Sequence, residues 1–355
     1  MVFFAVFASS VAHADVLDDY VREQMRENRV PGLSLAIVDK WRIASVRCYG
    51  VVEPKTNRPV VPSTLFQAGS ISKSVAAVGT LRLVEQGVLK LDEDVNVKLS
   101  GWKVPENSFT QRQKVTLRRI LSHTAGLTVH GFPGYPVNAP LPTLIQILNG
   151  ENPANTAPIV VDTVPGDNWR YSGGGYTVMQ ELVQEVTGEP YAGFLKRMVL
   201  DPAGMTDSSY EQPQPLSRTQ RAATGTYPNG SAVRGRWHVY PEMAAAGLWT
   251  TPTDLATFIL SIENSYSGLP GGVLSQATAR LMLTVQKSGD GLGAFLEGSG
   301  QSLRFSHNGR DEGFDAFYIG CALKGQGAAI MINANENSGV VDRIAKFIAA
   351  KYQWP

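Results

Sequence analysis

Apolar positions along this chain follow two different rhythms, segregated between its ends and its middle. GLSLAIVDK (Gly32 to Lys40) and RIASVRCYGVV (Arg42 to Val52) alternate and are β-branched, which predicts a strand pair. LRFSHNGRDEGFDAFYIGCALKGQGAAIMINA, from Leu303, holds three more strand-like runs with turns between, and VVDRIAKFIAAKY after it predicts a closing helix. Between these ends the spacing changes to threes and fours. Leu65 to Gly87 predicts a helix with Gly87 at the C′ position. TLRRILSHTAGL puts Leu117, Ile120 and Leu121 on one stripe and predicts a helix from Thr116 that stops at Gly126. Tyr176 to Gly188 and Tyr191 to Gly204 predict two more, and Thr251, Pro252 and Asp254 form an N-cap, N1 and N3 start for another. TVHGFPGYPVNAPLP, from Thr128, has no period and carries aromatics on a Pro/Gly frame, the pattern of a functional loop.

Strands at both ends with helices between them predict an α+β fold. One antiparallel sheet is built from both termini and flanked by terminal helices, with a mostly helical domain inserted. The expected bounds are residues 15–74 and 250–355 for the sheet domain and 75–249 for the helical one, with an active site at their interface.

Composition narrows the classes of function. The 355 residues are 43% hydrophobic and 18% charged with a net charge of +1, which gives no electrostatic basis for binding nucleic acid or an anionic membrane. Residues 1–14 are short, apolar and small and end in Ala12-His13-Ala14, as in a secretory signal cleaved before Asp15. The usual basic start is missing, so the natural signal is expected to begin upstream of Met1. No other run approaches the ~18 apolar residues of a membrane span. A secreted or periplasmic protein is therefore expected. Cys48 and Cys321 have no metal-ligand spacing, and two buried free thiols are the expected state.

There is no G-x-S-x-G, H-E-x-x-H, P-loop or G-x-G-x-x-G after a strand. What remains is Ser70-Ile71-Ser72-Lys73 at a helix start. A lysine on the inner side of a packed helix is costly unless it escapes to solvent or has a chemical use. In the first case Ser70 is an N-cap and Lys73 reaches outward. In the second, a spacing of three puts both on one face, burial keeps the amine neutral, and it takes the serine proton. Free N–H groups at the helix start would then steady an oxyanion. Two further stretches bear on the choice. WRYSGGGYTVMQ sets Tyr171-Ser172-Gly173 in a glycine loop before a helix, and FSHNGRDEGF sets His307-Asn308-Gly309 in a strand-like run. S-x-x-K alone is a weak signal, but S-x-x-K, Y-S-x and H-x-G in this order are specific.

With LSHTAGL, LDPAGMTDSSY and AAAGLWTTPTDLATF, these motifs make the chain resemble the serine β-lactamase and penicillin-binding-protein-like hydrolases. The branch is that of class C β-lactamases, D,D-peptidases, D-amino-acid peptidases and carboxylesterases. The resemblance implies an α/β sandwich plus an α domain with the active site between them. It makes Ser70 the acylated nucleophile, Lys73 its base, Tyr171 the proton shuttle to the leaving group, and His307 the residue that orients substrate. The oxyanion hole would be the amides of Ser70 and Arg310, and no metal or organic cofactor is needed.

Two departures from the family pattern shape the expected substrate. Gly173 replaces the asparagine of Y-x-N, and His307-Asn308-Gly309 replaces Lys-Thr-Gly, so the amide and the fixed cation that would hold a β-lactam are missing. Arg310 is the one nearby candidate to restore a cation. A carboxylesterase on small esters is the first expectation. The alternatives are a D-specific peptidase or amidase, a weak β-lactamase, and a penicillin-binding sensor that does not turn over. If His307 gains a proton as pH falls, anionic substrates should bind better in acid. Phe132, Tyr135, Trp237 and Tyr240 are candidate pocket walls, whereas His123, late on its helix among apolar neighbours, is expected to be structural. A small-molecule ester or amide is the expected partner, and the protein a monomer or weak oligomer.

Overall fold

The computed structural model describes residues 15–355, so the signal-peptide expectation, which falls on residues 1–14, lies outside them. Alternation along the terminal segments is expressed as a six-stranded sheet. β1 (Gly32–Asp39) and β2 (Arg42–Gly50) come from the first part of the chain. β3 (Phe295–Glu297), β4 (Arg304–Asp311), β5 (Phe314–Cys321) and β6 (Gln326–Ile332) come from the last. The order is β2-β1-β6-β5-β4-β3 and every pairing is antiparallel. The short edge strand β3 was not foreseen, because three residues cannot show a period.

Period two sorts the side chains of each central strand between two cores. Leu33, Leu35 and Ile37 of β1 and Ala328, Ile330 and Ile332 of β6 face one way. There the first helix, α1 (Val16–Glu27), and the last, the helix Ser338–Lys351, lie over them through Leu17, Val21, Val341, Ile344 and Ile348. On the other side Ala36, Val38, Ala329 and Met331 meet the helix Pro252–Ser267 through Phe258, Ile259 and Ile262. Gly320 and Gly327 make that contact close: a Cβ on either would sit 2.8 and 3.0 Å from the Ile259 side chain. The Thr251 cap accepts from the Asp254 amide with Pro252 opening the helix, as its sequence predicted.

The Leu65–Gly87 segment becomes a short strand, Phe66–Gln67, followed by α2 (Ile71–Glu85), with Gly87 at φ +72° just beyond its end. α2 is buried all round its first three turns, Lys73 included, which makes it the central post between sheet and helices. The helix expected from Thr116 to Gly126 is shorter, Leu117–Leu121, capped by the Thr116 hydroxyl. His123 lies past its end at φ +56° rather than late on it. α3 (Gly173–Thr187) starts earlier than its apolar stripe: the three glycines expected in a loop form its first turn, and Ser172 caps it by accepting from Gly175 N–H. Tyr191 to Ala203 is helical throughout with a wider turn at Lys196–Leu200. Cys48 and Cys321 are free thiols; Cys321 is buried as expected, whereas Cys48 is only half-buried.

Candidate active site

Ser70 stands immediately before α2 in helical conformation, and its hydroxyl makes no capping bond. Lys73 does not reach outward either. Its side chain is 1% exposed, and Nζ donates to Ser70 Oγ at 2.9 Å and to the Ala245 carbonyl at 2.8 Å. The solvent-escape alternative is therefore not what the chain adopts. Ala245 belongs to the helical turn Met243–Ala246, whose Ala244 amide donates to Gln180 of α3 while Gln180 donates back to the Pro241 carbonyl. Loss of hydration brings the Lys73 pKa down to about 7, with Asp311 opposing the shift. At neutral pH a large share of this amine is unprotonated and already bonded to Ser70.

The amides of Ile71, Ser72 and Lys73 are taken by the carbonyls of Ala68, Gly69 and Ser70. Among the described residues of this turn the Ser70 N–H is left, so the helix start offers one free donor, fewer than expected. A second amide comes from β4. Gly69 adopts φ +52°, and a Cβ there would lie 2.4 Å from Arg310 N. A Cβ on Gly309 would lie 1.8 Å from the Ala68 carbonyl oxygen. Two glycines thus let the Gly309–Arg310 backbone close on the Ser70 turn, which brings the two amides named for an oxyanion hole to one place.

Tyr171 precedes α3 and lies over Lys73, with Nζ 4.9 Å from the ring centroid. Burial pushes its hydroxyl well above the usual tyrosine range; Ser70 opposes this, and Asp290 adds to it. The hydroxyl is buried without a formed hydrogen bond among the described residues. His123 backs the ring at 4.2 Å, and its Nδ1 accepts from the Ser172 amide at 3.1 Å. Its expected structural role is the one observed.

His307 is in β4, 6.1 Å from the Tyr171 ring and 4.8 Å from Phe295. It is buried behind them and does not line the cleft. Burial, with Lys73 adding, lowers its pKa to about 3, so the imidazole is neutral throughout the physiological range. The expectation that it gains a proton in mild acid is corrected: no water reaches it to solvate the charge.

The cleft above Ser70 has a volume of about 840 Å³. Phe132, Tyr240, Asn308, Gly309 and Arg310 line it together with Ser70, Lys73 and Tyr171. Tyr135 and Trp237 do not. Tyr135 pairs in a two-residue bridge with Val239, and its hydroxyl accepts from the Asn155 amide. Trp237 packs on Trp249 at 5.2 Å, under the Arg236 guanidinium. Gly173 also stays out of the lining. A Cβ on it would lie 3.0 Å from the His130 carbonyl oxygen and 3.1 Å from the Phe132 ring, because the loop before it donates space to no side chain. That loop is tied down by bonds from Gly173 and Gly174 N–H to the carbonyls of His130 and Val129. The Arg310 guanidinium is 47% exposed and donates to the buried Asp315 carboxylate at 2.8 Å, so it does not stand as a free cation.

A model of the family described as Beta-lactamase matches residues 17–352. The chain belongs to the beta-lactamase family. Within it, the chain is 28% identical over 218 residues to Esterase EstB of Burkholderia gladioli, covering 60% of this chain and 55% of that protein. It is 22% identical over 345 residues to Protein flp of Staphylococcus aureus, covering 94% and 65%. The matched part thus spans less than two thirds of either relative. Among solved structures, the octameric penicillin-binding protein homologue from Pyrococcus abyssi matches at TM-score 0.75 and 23% identity over 95% of this chain and 76% of its own. A class C beta-lactamase matches at 0.75 and 20% over 95% and 98%. These confirm the α+β fold of the beta-lactamase family.

Several cleft residues escaped the sequence, four of them next to the reacting groups or on the floor. Trp169 and Phe295 form walls, Ala245 supplies only a carbonyl, and Asp311 lines the floor. Asp311 was within reach of period two, two positions beyond Gly309 on the inward side of β4. A backbone carbonyl such as that of Ala245 leaves no side-chain signal.

Proposed function

We propose that the protein is a serine hydrolase acting through an acyl-enzyme on Ser70, as a carboxylesterase on small esters. The observation that carries this is the Lys73 amine, desolvated to a pKa near 7 and hydrogen-bonded to Ser70 Oγ. Neutral Lys73 takes the hydroxyl proton as Oγ bonds to the ester carbonyl carbon, and the amides of Ser70 and Arg310 hold the oxyanion. The tetrahedral adduct expels the alkoxide, which takes a proton through Tyr171 as Lys73 gives its proton up. Water then repeats the cycle on the acyl-enzyme, and Ser70 leaves. The high pKa of Tyr171 suits a relay that stays protonated between steps rather than a resident phenolate.

Substrates without a carboxylate are favoured because, among the described residues that line the cleft, no unengaged cation faces the reacting centre besides Lys73. His307 is uncharged and behind the wall, and Arg310 is held by Asp315. Likeness to an esterase supports the same choice. Export to the periplasm or medium belongs to the proposal and is checked by fractionation of producing cells. The deciding experiment compares a p-nitrophenyl ester, a D-amino-acid amide and a chromogenic cephalosporin, with intact mass followed for each. The ester should turn over fastest. Faster amide or cephalosporin hydrolysis overturns the esterase assignment in favour of a D-peptidase or β-lactamase. A lasting mass adduct without turnover makes the protein a penicillin-binding sensor.

A further inference from the structure

The floor of the cleft holds a carboxyl group that the proposed chemistry does not use. Asp311 is 4% exposed, lines the cleft, and has neither carboxyl oxygen in a well-formed hydrogen bond among the described residues, the Gly69 amide and the Tyr240 hydroxyl being the donors nearest to it. Near it Glu242 is fully buried, likewise without a well-formed hydrogen bond on either oxygen among the described residues, Tyr135 being its nearest donor. A buried carboxyl without a well-formed hydrogen bond is costly, and natural proteins keep such groups mostly where a ligand completes them. The charged side chains lining the rest of the cleft lean the same way. Glu312 and Glu336 also line it, and the Arg310 guanidinium there is engaged by the buried Asp315.

Direction along β4 assigns this floor to one half of the substrate. Tyr171, the relay to the leaving group, lies against His307 at one stretch of the strand. Asp311 is four residues further on, beyond the Arg310 amide, beside Tyr240, whose hydroxyl accepts from the Glu312 amide at 2.9 Å. A carbonyl with its oxygen at the Ser70 and Arg310 amides and its leaving group toward Tyr171 extends its acyl chain toward Asp311. We propose that Asp311 is the specificity-determining residue of the acyl half and selects acyl groups that carry an ammonium. This rests on the serine-hydrolase assignment above and narrows its substrates from small esters at large to aminoacyl esters. An ammonium supplies a charged donor of good geometry to the Asp311 carboxyl, and the Glu312 and Glu336 carboxylates add to its attraction.

The test uses two p-nitrophenyl esters of equal shape, 3-aminopropanoate and butanoate, which differ by an ammonium in place of a terminal methyl. After division by their rates with hydroxide, wild type should favour the amino ester in kcat/KM. Asp311→Asn should lower that preference about tenfold to a hundredfold, the worth of a hydrogen bond to a charged group. An unchanged ratio in the variant, or a wild-type preference for butanoate, overturns the proposal. Should the variant not fold, wild type alone decides by its inactivation rates with p-nitrophenyl 2-aminoethylphosphonate and propylphosphonate. Faster modification by the aminoethyl reagent supports the proposal, and equal or slower modification overturns it. Failure of both reagents to label Ser70 at all overturns the serine-hydrolase assignment itself, a result distinct from labelling without preference.

Discussion

A single protonation state decides whether this site works. In the proposed mechanism Lys73 must be unprotonated to accept the Ser70 proton, and its pKa is near 7. Ester kcat/KM should therefore rise with pH along a limb centred near 7 and level off above it. Lys73→Arg, with a guanidinium that stays charged, should lose about 10²–10⁴-fold at any pH. Ser70→Ala should abolish labelling by a serine-directed phosphonate while leaving thermal unfolding nearly unchanged, since the serine neither caps the helix nor fills core space. Labelling at Ser172 or Ser122 would remove Ser70 from its role. His307 gives the opposite sort of expectation. With a pKa near 3 it takes no proton between pH 7 and 5, so anionic substrates should gain no affinity from it over that range. A KM for such a substrate that falls with pH would have to come from another group.

At the scale of elements, two glycine contacts hold the machinery together. β4 reaches the Ser70 turn only because Gly309 has no Cβ to meet the Ala68 carbonyl oxygen. Gly309→Ala should push the Arg310 amide away and lower kcat by roughly 10²–10³-fold, the measured order for losing one oxyanion donor. Gly173 is the contrasting case. Its position was readable as a missing asparagine, but the loop through His130 and Phe132 has filled the place where that side chain would go. Gly173→Asn should therefore cost stability, about 1–3 kcal/mol by overpacking, and bring no gain in cephalosporin hydrolysis. A melting curve and a rate on a chromogenic cephalosporin check both halves; a stable variant that hydrolyses it faster would show that the loop yields.

For the whole molecule the cost of the site appears as a pH dependence of stability. Lys73 has a folded pKa near 7 against 10.5 for an ordinary lysine. Between those values the unfolded chain binds the extra proton, so this group makes stability rise with pH across that window, and its penalty is full below pH 7. Lys73→Met should accordingly unfold at higher temperature than wild type at pH 7, by roughly 1–4 kcal/mol in stability. The gap should narrow toward pH 10. A constant gap across that range would mean that the methionine gains by packing alone.

Much of the architecture was legible because it is local. Period two along β1, β4, β5 and β6 and the Thr251-Pro252 start depend on neighbours within a few residues, and they appear where the chain predicted them. So does Ser70 next to Lys73, since one helical turn brings them together without help from elsewhere. Pocket walls were legible only in part: Phe132 and Tyr240 reach the cleft, whereas Tyr135 and Trp237 are spent on packing, and an aromatic letter does not tell which way a ring faces.

The sequence by itself determined which residue types stand at the helix start, before α3 and in β4, and hence the kind of chemistry available. Tertiary structure decided their state. The carbonyl that fixes Lys73 lies 172 residues away at Ala245, and the amide proposed to complete the oxyanion pair with Ser70 comes from Arg310 near the other end of the chain. Whether the lysine is neutral, whether His307 meets water, and whether Asp311 has a partner depend on how completely those distant segments exclude solvent. Desolvation is a property of the packed neighbourhood, and no spacing along the chain encodes it.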